Sequence, residues 1–144
     1  MATIVPFRDL DAWRLAMDLA VVAHDIAARL PQIERYELSA QVRRASTSIP
    51  SNVAEGHARE PKTFRHHVRI AIGSLAELDT QVELVHRCRY LEEAVLGEVT
   101  LQIQRVGKVL HGLERSLLRR QLRSSALVVF GFVAVAVTLR WITG

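Results

Sequence analysis

Cysteine is almost missing from this chain, and the residues that interrupt helices are scarce. Among 144 residues there is one cysteine, Cys88, with seven glycines and four prolines. A lone cysteine excludes an intrachain disulfide framework and any CxxC metal or redox motif, and it fits a reducing compartment. So few glycines and prolines argue against a turn-rich all-β fold, while 49% apolar content argues against disorder. What fills the long windows is Ala, Leu, Arg, Glu and Gln, all strong helix formers. The length suits one domain with a single core and room for an appendage.

Signatures of catalysis and of metal binding are missing too. The six histidines form no HExxH motif, no cluster with cysteine and no i, i+4 pair. His66 and His67 are adjacent, so on a helix they project about 100° apart and do not readily share one ion. Ser74 in "AIGSLAELDT" lacks the strand–turn–helix setting of a nucleophile elbow. Glu77, Asp79 and Glu83 read as charge on a solvated helix face, and no GxxxxGK[ST] loop is present to cradle phosphate. No metal, no cofactor and no enzymatic activity are expected. The opening "MATIVPFRDLDAW" lacks the basic lead and apolar run of a secretory signal, so a cytoplasmic location is expected for the bulk of the chain.

Four helices are predicted from apolar spacing. The first runs from about Asp9 to Leu30, with Trp13, Met17 and Ala20 on one stripe and Leu15, Leu19, Val22, Ile26 and Leu30 on another. A helix apolar around so much of its circumference has a neighbour beyond its own core, a first hint of self-association. The second begins near Glu37, buries Leu38, Val42, Ala45, Ile49 and Val53, and ends at Gly56. The third carries Phe64, Val68, Ala71, Leu75, Leu78, Val82 and Val85, and the fourth Leu96, Val99, Ile103, Val106, Leu110, Leu113 and Leu117. Unbroken spacings of three and four mean packing at shallow angles, and short connections make sequential helices neighbours. The expectation is an all-α fold: an antiparallel up-down-up-down four-helix bundle over residues 9–123, within a domain 1–123, and an extra C-terminal hydrophobic helix in a tail from 124 to 144.

That tail, "SSALVVFGFVAVAVTLRWITG", has fourteen residues from Ala126 to Leu139 without a charge. With Arg140 snorkelling and Trp141 at the far interface, residues 124–142 nearly suffice to span a bilayer. Arg115, Arg119, Arg120 and Arg123 precede it and would keep the bundle on the cytoplasmic side of the inner membrane, against anionic lipid. A β-branched strand and a helix buried in an oligomer are the competing readings.

"RRASTSIPSNVAEGHARE", Arg43 to Glu60, is the least ordinary stretch. On a helix, Arg44, Ser48, Asn52 and Glu55 fall on one face at spacings of 4, 4 and 3. We read them as a buried or subunit-facing polar network that fixes register, in preference to a binding pocket. Pro50 removes one backbone donor and crowds the carbonyl of Ser46, so the helix either bends there or restarts. The hydroxyls of Ser46, Thr47 and Ser51 are placed to partner the freed groups.

These residues carry a family resemblance. "RRASTSIPSNVAEG" resembles the motif of the small four-helix-bundle proteins encoded in intervening sequences of bacterial large-subunit ribosomal RNA genes. Related bundles are accessory proteins of diversity-generating retroelements. "FRDLDAWRLAMDLA" and "FRHHVRIAIGSLAELDTQVELVHRCRYL" look like the family's first and third helices, so the resemblance covers roughly residues 6–117. It implies a four-helix bundle, commonly a pentamer, sometimes linked to nucleic acid. The tail after Arg123 is not part of the usual pattern.

Charge points the same way. Net charge is +4, yet residues 1–60 hold seven basic and eight acidic groups, whereas residues 105–144 hold seven basic groups against Glu114 alone. One basic group, Arg59, Lys62, Arg65, His66 and Arg69, surrounds the start of the third helix. The other, Arg105, Lys108, Arg115, Arg119 and Arg123, forms a stripe on the fourth, offset from its apolar seam. Such stripes bind the phosphates of RNA or DNA without reading bases. A solvated exterior is the competing reading, since no aromatics are interleaved for base stacking.

Overall fold

A computed structural model describes residues 6–143, with side chains described over residues 6–125. Four helices appear in chain order: α1 (Asp11–Arg29), α2 (Leu38–His57), α3 (Pro61–Arg87) and α4 (Glu93–Thr143). Short 3₁₀ turns at Phe7–Asp9 and Gln32–Glu34 precede α1 and α2, and no strand occurs among the described residues.

Local chemistry sets the boundaries. α1 starts two residues later than expected, because Leu10 is extended (φ −73°, ψ 126°) and Asp9 belongs to the 3₁₀ turn. Asp11 then sits at the positive end of the helix dipole, and an extended Leu30 followed by Pro31 stops the helix. α3 opens on Pro61, whose missing N–H costs nothing in a first turn. It closes through Arg89 in the left-handed region (φ 57°). There Arg89 N–H donates to His86 C=O (2.9 Å) and Tyr90 N–H to Val85 C=O (3.1 Å), the paired closure that usually employs glycine.

α2 runs through Pro50 as one continuous helix. The nearby hydroxyls do not serve the Ser46 carbonyl as expected. Ser46 and Thr47 donate instead to Arg43 C=O (3.1 and 2.7 Å), and Ser51 to Thr47 C=O (2.8 Å), the carbonyls three or four residues behind each. α2 ends at His57, in the stretch expected from Gly56 onward, and Gly56 has a second role beside marking that end. It lies buried in the last turn of α2, where a Cβ would stand 2.7 Å from both His67 Cβ and Phe64 Cδ2. The glycine is there because α2 and α3 nearly touch.

Each helix packs on its sequence neighbours, and α1 closes the ring against α4. Contacts pair rising numbers with falling ones: Ser48 with Ser74, Asn52 with His67, and Arg65 with Glu114 against Gly107 beside Leu75. Every predicted seam residue of α2 and α3 is buried, as is that of α4 except the half-buried Leu113. α1 departs from its prediction in part, since Leu19, Ala20, Ile26 and Leu30 are buried as expected. It buries Ala12, Ala16, Leu19, Ala20, Ala23, Ile26 and Ala27, with Leu30 just past its end, while Trp13, Leu15 and Val22 are half-buried and Met17 is 38% exposed. Alanines, too small to dominate an apolar pattern, make most of that seam.

α4 continues beyond residue 123 with no interruption at the expected domain boundary. The reading of residues 124–144 as a hydrophobic membrane tail rests on side chains that lie outside the described residues. Among the described residues no helix is long and apolar enough to cross a membrane.

Candidate nucleic-acid interface

The polar face of α2 meets α3, with membership different from that predicted. Ser48 and Ser74 share a 2.8 Å hydrogen bond between hydroxyls. Asn52 Nδ2 donates to Ser48 C=O (2.9 Å) and to Ser48 Oγ (3.2 Å). That orientation leaves Asn52 Oδ1 to accept from His67 Nδ1, 3.2 Å away, so this ring nitrogen carries the hydrogen. The connected ladder is therefore Ser74–Ser48–Asn52–His67. Arg44 and Glu55, expected at its ends, are exposed and join no ion pair among the described residues. Helical spacing places all four on one face, but only Ser48 and Asn52 are half-buried and bonded to α3. Spacing along α2 cannot reveal partners on α3. The available signal was that His67 and Ser74 are seven apart, on one stripe of α3.

The basic residues are distributed over α3, the turn before it and α4. Arg65 Nη2 lies 3.2 Å from Glu114 Oε1, both side chains about one-quarter exposed, and this pair fastens the start of α3 to α4. From that point Lys62 is three residues back along α3 and Arg119 five residues on along α4, axial steps of about 4.5 and 7.5 Å. Arg59, Lys62, Arg115, Arg119 and Arg123, all exposed, consequently gather at one end of the bundle. Arg69 is exposed one turn further along α3, as is His66 beside Arg65. Arg105 and Lys108 are exposed nearer the middle of α4 and extend the stripe to a length of about 27 Å. Lys108, His111 and Arg115 also rim a shallow surface depression of about 510 Å³ beside Gly107.

One consequence is electrostatic. Arg65 is used inside the fold, and it neutralises Glu114, the single acid on α4 between Arg105 and Arg123. The remaining cations of the stripe have no intramolecular counter-ion among the described residues. Arg115, Arg119 and Arg123 stand four apart, a spacing at which like charges destabilise a helix by about 0.2–0.5 kcal/mol per pair. A bound anion relieves that repulsion.

Residues 8–112 match the 23S rRNA-intervening sequence protein family, more than two-thirds of the chain. The chain belongs to this family. Its matched span takes in α1, α2 and α3 whole and α4 as far as Gly112, so Arg115, Arg119 and Arg123 lie beyond it. The fold of this 23S rRNA-intervening sequence protein is similar to a crystal structure from Bacteroides thetaiotaomicron, described as a protein with unknown function from the S23 ribosomal protein family. The TM-score is 0.67 at 20% identity, covering 72% of this chain and 95% of that one. At that identity the likeness establishes the four-helix fold alone. No curated protein matches the chain.

Proposed function

We propose that this 23S rRNA-intervening sequence protein is a non-enzymatic, self-associating helical scaffold that binds RNA or DNA through its basic surface without reading bases. The observation that carries the reading is the α4 stripe, whose single acid is consumed by Arg65. Cations on a helical rod, without internal partners among the described residues, attract a polyphosphate backbone by charge and counter-ion release. Self-association is supported by apolar surface on the outer side of α1, where Met17 is 38% and Val21 60% exposed beside Ala20 and Pro50. The occupant proposed for that surface is a second copy of the chain, in the five-membered ring implied by the family resemblance. A ring repeats the stripe and sums its field.

Fluorescence anisotropy with short RNA and DNA of varied sequence tests the binding. Retention should be similar for all sequences and should weaken steeply with salt. Five phosphate contacts give a log–log slope of about −3.5 for single strands and −4.5 for duplex. The triple variant Arg115→Glu, Arg119→Glu, Arg123→Glu should abolish it. No binding at low salt, or undiminished binding by the triple variant, would overturn the reading. Sedimentation of the full chain, with Val21→Glu as the disrupting variant, measures the assembly.

A further inference from the structure

At the opposite end of the bundle from Arg119, where α1 turns into α2, lies a polar cavity of about 280 Å³. Its apolar floor comes from Ala27 and Ala28 of α1 and from Leu30 just beyond it, and its polar wall from Gln32, Arg35, Ser39 and Arg43. We propose that this cavity binds a phosphomonoester: inorganic phosphate or the terminal phosphate of a nucleotide.

Ser39 is the first ground. It is only 2% exposed and lines the cavity, yet its hydroxyl makes no hydrogen bond among the described residues. Other helical hydroxyls here, those of Thr47, Ser51, Thr80, Thr100 and Ser125, each donate to the carbonyl four residues behind. Ser39 stands in the first turn of α2, behind which the chain is not helical, so it lacks that carbonyl. A nearly buried hydroxyl without a partner is costly, and the polar cavity is where its partner fits.

Charge is the second ground. Arg43 stands one turn after Ser39 on α2, Arg35 lies in the turn before that helix, and both line the cavity. Neither guanidinium joins an ion pair among the described residues; Arg35 lies 5.8 Å from the ring of Tyr36. Of the nearby acids, Glu34 accepts from the Tyr90 hydroxyl at 2.8 Å and Glu37 is exposed without capping α2, and neither pairs with Arg35 or Arg43 among the described residues. The first intrahelical bond of α2 is Gln41 N–H to Glu37 C=O, so the N–H groups of Leu38, Ser39 and Ala40 add an uncapped positive helix end.

Two forked guanidiniums, a hydroxyl and a helix N-terminus favour a compact dianion with several acceptor oxygens over a planar carboxylate. The volume falls just below the roughly 300 Å³ at which drug-sized sites begin, so phosphate fits with at most a small attached group inside.

Phosphorus NMR and calorimetric titration of the full chain with inorganic phosphate test the site, in parallel with a nucleoside 5′-monophosphate. Saturable binding is expected, weakened at least tenfold by Arg43→Gln and about three- to tenfold by Ser39→Ala, which removes one oxygen and cannot disturb the core. Stronger retention of the nucleotide than of phosphate identifies a nucleotide as the source; equal retention identifies the free ion. Absence of saturation by either, or binding unchanged in both Arg35→Gln and Arg43→Gln, would overturn the proposal. So would equal competition by an oligonucleotide with and without its 5′-phosphate. The triple variant of α4 should leave phosphate binding intact, because some 25 Å of α2 separates Ser39 from Gly56 at the other end. The two sites thus stand or fall separately.

Discussion

α1 and α3 bury seams of identical rhythm built from opposite materials. Residues 12, 16, 19, 23, 26 and 30 alternate steps of four and three, as do 64, 68, 71, 75, 78, 82 and 85. The first set is half alanine; the second is Phe, Val and Leu around a single alanine, Ala71. α3 is held by the apolar volume it removes from water, at about 25 cal/mol per Å². α1 offers its neighbours mostly methyl groups, and a close-packed interior leaves such positions little room for added atoms. One helix is vulnerable to losing atoms and the other to gaining them.

Opposite substitutions break this contrast. Leu78, fully buried in the middle of α3, should show the largest effect: Leu78→Ala should lower unfolding free energy by about 2–5 kcal/mol, read from denaturant midpoints at unchanged m. On α1 the damaging change runs the other way. Ala23→Leu, at a site with no exposure, should cost about 1–3 kcal/mol by overpacking, although leucine is the more apolar residue. A stabilising Ala23→Leu would show that α1 has slack. The half-buried α2–α3 ladder should give less: Asn52→Ala should cost about 1 kcal/mol, by leaving His67 Nδ1 and Ser48 without their partner.

The smallest effect is sharpened by pH. The hydrogen bond from Tyr90 to the Glu34 carboxylate, with burial adding to it, pushes the Tyr90 phenol up to about 12 from its usual 10. The fold therefore favours the protonated phenol. Its contribution is full below pH 10 and disappears as pH rises through 12. Melting temperature should fall across that window in the native chain and fall less in Tyr90→Phe; parallel curves would remove Tyr90 from the account.

The same contrast explains what could be read from sequence. The seams of α2, α3 and α4 were legible because large apolar residues mark them at every turn. Alanine marks nothing, being a good helix former inside or out, so the eye falls on Trp13, Leu15 and Met17 and misses Ala12, Ala16 and Ala23. Of the polar face, Ser48 and Asn52 were found and their partners His67 and Ser74 were not. Spacing orders residues along one helix, whereas pairing across helices depends on register, which no local pattern states. Arg65 was grouped with the surface cations for the same reason, its partner Glu114 being forty-nine residues away. Arg89 shows the complementary failure: its left-handed turn has no glycine to announce it.

Gly56 has an effect that reaches past its own turn. With backbone alone presented to Phe64 and His67, the second and third rods mesh at a single setting. Sliding one along the other would drive a side chain into a place that admits none. The three residues between them, Ala58, Arg59 and Glu60, are accordingly a link of constant length, and the separation of Arg59 from Lys62 comes with it. A hydrogen atom where other residues carry carbon thus acts as the ruler for one edge of the positively charged end.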